Sequence, residues 1–234
     1  MRDERIDGPL DKAAQAPQEV APALLERIAA SIKSSMQSVR PLPPTWLLTA
    51  ALVFICAAIG LAGALHAGFY GIEKMDLWQR ILIFTTLAIF AHAAAQEFVA
   101  EFIPGSRRRL SAGALLAAGT AALLAVFALL FRDYQTTHFL SAGIVCLAVG
   151  LLHAIPAGLI AWLILRRGFA LNKITAGVAG GTLAGLAGVF MLELHCSNFQ
   201  ATHILIWHSA VIPLAASAGA LLAYGLPTPK LPNP

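Results

Sequence analysis

Of the 234 residues, 58% are hydrophobic and 12% charged, and the mean hydropathy is +0.74. A soluble globular domain carries about 25% charged residues, so this composition excludes one. The net charge of +4 and a pI near 9.2 would suit a nucleic-acid binder. Here the basic residues flank apolar runs, where membrane topology accounts for them, and no direct contact with nucleic acid is expected. Three cysteines are too few for a disulfide framework.

The chain opens on a polar segment, residues 1–44, which holds 12 of the 28 charged side chains. No apolar stretch with a small-residue cleavage site precedes the charged part, so no signal peptide is expected. Residues 1–19 mix both signs of charge with Pro and Gln, a composition expected to be disordered. From Pro22 to Val39, Leu24, Ile28, Ile32 and Met36 recur every four residues, which predicts a helix with one apolar stripe. Arg40-Pro41-Leu42-Pro43-Pro44 ends that helix. Such a stripe can lie on a lipid bilayer or receive a cytosolic protein.

Six apolar runs follow, each near the 20 residues that cross a bilayer. They are Trp46–Phe69, Ile81–Ile103, Leu110–Phe131, Phe139–Leu165, Ile174–Leu194 and Ile204–Tyr224. Spanning backbone must satisfy its own hydrogen bonds, and no short alternating segments suggest a barrel, so these are helices. The expected fold is an all-α polytopic membrane protein: segment 1–44, a six-helix domain over 45–225 and a tail over 226–234. Ten basic residues gather on one side of the spans, among them Arg107, Arg108, Arg109, Arg166 and Arg167. Lys74, Arg80 and Arg132 lie on the other. That bias places both termini in the cytoplasm.

Ionisable residues inside spans are costly and mark candidate sites. Glu97 and Glu101 stand one turn apart near the inner end of span two, with His92 and Gln96 on neighbouring turns. They can form a proton or ion ladder, or pair with the arginines that follow. His153 precedes Pro156 by three residues and is expected to bond a carbonyl opened by the proline. In span five Gly177, Gly181 and Gly185 recur at intervals of four, a spacing for close helix packing within the chain or between copies. Toward the outer ends lie His66, Cys146, Glu193, His195, Cys196, His203 and Trp207-His208. Thiolate and imidazole suit soft divalent metals, and two thiols can also form a disulfide on an oxidising side. Cys56, near the centre of span one, is expected to be packing.

Two stretches carry a family resemblance. One runs from Ala142-Gly143-Ile144-Val145-Cys146-Leu147 through His153-Ala154-Ile155-Pro156 to Arg166-Arg167-Gly168. The other runs from Ala176-Gly177 through Glu193-Leu194-His195-Cys196 to Ile206-Trp207-His208. Together they resemble the NrsF-type family of six-span bacterial membrane proteins. The resemblance implies a non-enzymatic anti-sigma factor. Such a protein holds an extracytoplasmic-function sigma factor at the inner membrane and releases it under metal or oxidative stress. It assigns the sensing role to Cys146 and Cys196; Cys56 matches nothing in the pattern. His195 and His203, near Cys196 in the chain, are candidates for further metal ligands. No cofactor is implied beyond a regulatory divalent metal. The expected contact surface for the sigma factor comprises Leu24, Ile28 and Ile32 with the Arg107–Arg109 and Arg166–Arg167 loops. The alternative is a small transporter or channel whose path uses Glu97, Glu101, His153 and Glu193. The absence of internal repeats counts against it.

Overall fold

The computed structural model describes residues 21–35, 43–103, 106, 110–168 and 170–226. Among these residues the fold is all-helical, with no strand. Helix α1 (Pro22–Ser35) belongs to one unit and the remaining helices to another. The expected stripe is present on α1, with Leu24, Leu25, Ile28 and Ile32 exposed. Residues 36–39, into which this helix was expected to continue, lie outside the described residues, as do Arg107, Arg108 and Arg109.

The second unit contains α2 (Thr45–Ala67), the short α3 (Tyr70–Lys74), α4 (Leu77–Ala100), α5 (Ala112–Leu130), α6 (Phe139–Arg167), α7 (Lys173–His195) and α8 (Ala201–Tyr224). All but α3 are long and apolar enough to cross a membrane, which describes a multi-pass membrane protein. The expected spans match these six helices with shifted ends. The largest shift is at α4, which begins at Leu77 rather than Ile81. There Asp76 accepts from Gln79 N–H at 2.8 Å while Gln79 Oε1 accepts from Asp76 N–H at 3.0 Å. This reciprocal cap starts the helix one turn before the apolar run does. Helix α3, in the loop before it, was not expected.

Helix α7 is the centre of the bundle. In its apolar window 78% of residues are buried, against 22–33% in the other spans. Small residues make this enclosure feasible, because α8 lies directly on the glycine stripe. A methyl group on Gly185 would stand 2.7 Å from Ile212 Cα, and one on Gly177 2.5 Å from Gly219 O. The stripe therefore meets a helix of its own chain, which the spacing alone left open.

Two sets of loop contacts fix the ends of the bundle. At the end carrying Arg166, the buried Glu101 accepts from Asn172 N–H through Oε2 at 3.1 Å, and its carbonyl accepts from Leu171 N–H at 2.8 Å. Glu97, also buried, accepts from Leu110 N–H at 3.2 Å. At the opposite end the 131–138 loop is tied to the start of α8. Ala201 N–H donates to Asp133 O at 2.6 Å, and Thr202 Oγ1 donates to Gln135 O at 2.8 Å.

Candidate functional site

Three chain segments meet at the end of the bundle opposite Arg166. Helix α6 brings Cys146, the close of α7 brings Glu193 and Cys196, and the opening of α8 brings His203 and His208. The start of α8 is not regular: Ile204–His208 forms a π-helical turn inside an otherwise α-helical span. In an α-helix, residues five apart point about 140° away from each other at 3.6 residues per turn. A π turn closes its hydrogen bonds five residues on and brings such residues to one side. The His203 and His208 rings accordingly stand 5.4 Å apart, nearly perpendicular. Gly143 leaves room on α6 for the Trp207 indole, which also packs on Phe139 with centroids 5.4 Å apart.

One ligand atom from each of Cys146, Cys196, His203 and His208 lies within 4.8 Å of the other three. The two sulfurs are 3.5 Å apart and unbonded, and His203 Nε2 is 3.7 Å from Cys196 Sγ. Cys196, His203 and His208 are buried and Cys146 is partly so. Behind the group, His208 Nδ1 donates to Glu193 Oε1 at 2.6 Å, with both side chains 1% exposed. The Cys196 thiol, just past the end of its span, is held above its ordinary pKa by its hydrogen bond to Cys146 first and by burial second.

This donor set fits a soft or borderline divalent cation. Two thiolates and two imidazoles are a familiar tetrahedral complement for zinc-like ions. Donors held at 2.0–2.3 Å from such an ion stand about 3.3–3.8 Å from one another, close to the separations seen here. A second observation agrees. His208 Nε2, the nitrogen left over once Nδ1 is bound to Glu193, is buried without a hydrogen-bond partner. A carboxylate behind a histidine fixes the ring's tautomer and orientation for a metal. The sulfur pair is also placed for oxidation, since disulfide formation requires only a further approach of the thiols.

The structure brings Cys146, Cys196 and His203 together and places His195 apart from them. His195 Nδ1 faces Gly68 O at 3.1 Å, and its ring packs on Tyr70 at 5.7 Å, so it joins α7 to the α2–α3 connection. His66 is exposed, and Cys56 is buried in the apolar core. His208 takes the fourth position, which the sequence reading did not assign. Its five-residue offset from His203 gives no sign of a shared face unless the π turn is known.

The residues of the alternative transport path are not gathered. Glu193 lies with His208 at one end, while Glu97 and Glu101 accept loop amides at the other. His153 Nδ1 is 2.8 Å from Val149 O in its own helix. That carbonyl is not the one opened by Pro156, which belongs to Leu152 four residues before the proline, so the expected role of His153 is corrected.

No curated protein and no solved structure matches the chain. A family model does, over residues 29–226, and its description is NrsF, negative regulator of sigma F. That range takes in all six spans and every member of the four-residue group. Regulation of a sigma factor makes a sigma factor the partner and points to a role other than catalysis. With most of its length matched, the chain belongs to the NrsF family of negative regulators of sigma F.

Proposed function

We propose that the protein holds an extracytoplasmic-function sigma factor at the cytoplasmic face of the inner membrane. It releases that factor when Cys146 and Cys196, with His203 and His208, take up a soft metal ion on the periplasmic side. The observation that carries this reading is the convergence of the four ligand atoms within 4.8 Å. Oxidation of the same thiols is a second input, supported by their 3.5 Å separation. In that step the two thiols lose two electrons and two protons to an oxidant such as a diazene, which is reduced to the hydrazine, and one S–S bond forms.

The fold offers a route from this site to the opposite face. Helix α7 carries Glu193 and Cys196 near one end, and at the other its N-cap Asn172 is held by Glu101. Drawing α6, α7 and α8 together around a bound ion biases how α7 sits between its neighbours. The loops fastened to its far end respond. The contact for the sigma factor is the apolar stripe of α1 with the Arg107–Arg109 and Arg166–Arg167 loops. Both termini lie on that side.

The test is release from the purified complex of the full chain and its sigma factor in detergent. Cadmium or zinc ions, and separately diamide, should dissociate the parent complex. The Cys146→Ser and Cys196→Ser complexes should stay intact under all three. A parent complex that remains associated after its site has been loaded would overturn the reading.

A further inference from the structure

A long apolar groove runs between α6 and α8 from Ala148, two residues past Cys146, to Leu165 near the opposite end, with a volume of about 680 Å³. Its origin lies in the helices. Toward the cysteines α6 and α8 touch, with a methyl on Gly150 falling 2.8 Å from Val211 Cγ2. Pro156 in α6 and Pro213 in α8 lie along the two helices that flank the groove. A Cβ on Gly158 would meet nothing nearer than Ala184 Cβ at 3.7 Å. Ile155 and Leu159 form one wall and Leu214 and Leu222 the other, with Gly180 and Ala184 of α7 as the floor. No charged side chain lines the groove. At its mouth Trp162 is covered by the Arg166 guanidinium, 5.3 Å from the ring centroid.

We infer that this groove seats one acyl chain of an anionic phospholipid, with Arg166 and Arg167 on its phosphate. Three features favour that occupant. The lining is almost entirely apolar in a helix pair long and apolar enough to cross a membrane, which favours a hydrocarbon occupant. The length suits an extended chain: from Ala148 to Leu165 the groove follows α6 for about 25 Å at 1.5 Å per residue. The third feature is charge. Two arginines close α6 at the groove's open end, and basic residues between spans at headgroup level select anionic lipid. The inference is independent of the cysteine site.

Lipid retention by the full chain, purified in detergent and followed by native mass spectrometry, tests this. The probes are phosphatidylglycerol and phosphatidylethanolamine with the same acyl chains. The parent should retain one phosphatidylglycerol with a preference of about fivefold over phosphatidylethanolamine for each engaged arginine. Gly158→Leu, whose side chain fills the groove, should lose both lipids. Arg166→Gln should keep phosphatidylethanolamine retention and lower the preference about fivefold, to what Arg167 alone supplies. Retention of phosphatidylglycerol by Gly158→Leu equal to the parent's would overturn the inference. So would a lipid-free parent that elutes as a dimer and that Gly158→Leu converts to a monomer, since the occupant is then a second copy. If Gly158→Leu does not fold, the exposed Arg166 decides: an unchanged headgroup preference in Arg166→Gln rejects the inference.

Discussion

With Nδ1 of His208 bonded to Glu193, the ring offers only Nε2 to the thiols, and that nitrogen has no other partner. Cadmium titration of the full chain, followed by the thiolate-to-metal ultraviolet band, should therefore sense residues that never touch the ion. Glu193→Leu leaves Nδ1–H buried without an acceptor and should lower affinity about 10–100-fold. Glu193→Gln retains an acceptor oxygen and should cost less than about tenfold. Cys146→Ser and Cys196→Ser should each remove the band. His208→Ala should weaken cadmium binding yet leave the two thiols able to close a disulfide with diamide, because the S–S bond joins the sulfurs alone. At this scale the sequence was informative where chemistry and depth coincided. Cys146 and Cys196 stood at similar depth on adjoining spans. It placed His208 among the outer-end residues without assigning it a role, and it favoured His195, whose position beside Cys196 in the chain does not place its ring beside the sulfur.

Elements were more legible than residues, because a run of about 20 apolar residues has few alternatives to a spanning helix. What hydropathy does not encode is local hydrogen bonding. The cap at Asp76, the short helix Tyr70–Lys74 and the π turn Ile204–His208 all depend on individual backbone donors and acceptors. Packing at the glycine stripe gives a stability prediction. Gly181→Val places a branched side chain against Ala215 O and Ala216 Cα, and overpacking of this kind costs about 1–3 kcal/mol. Gly113, exposed in the first turn of α5, has no neighbour within 4 Å of an added Cβ. Gly113→Ala should be neutral or stabilising by up to about 1 kcal/mol. Thermal unfolding of the two variants in one detergent should move in opposite directions from the parent or show no change for Gly113→Ala. Helix α1 is tested by Ile28→Asp, which puts an unpaired charge on the apolar stripe. Sigma capture should be lost while the protein stays in the membrane fraction. Capture that survives both this change and deletion of residues 1–38 would move the contact to the arginine loops.

The helical bundle joins a four-donor site at one end to loops fastened by Glu97 and Glu101 at the other, through a central helix rich in glycine and alanine. The proposed function requires these ends to face opposite compartments. Reporter fusions after Thr136 and Asn198 should be active only as periplasmic reporters, and a cytoplasmic signal at Asn198 would invert the arrangement. The link between the ends is tested most directly in cells carrying a reporter of the sigma factor's own promoter, challenged with cadmium and with diamide. The parent and Cys56→Ser should be silent at rest and induced by both agents. Cys146→Ser, Cys196→Ser and the double variant should be equally silent at rest and remain silent under challenge, because a shared site fails when one ligand is removed. Induction of all these variants to the parent's level would contradict the account and leave the outer cysteines as packing alone.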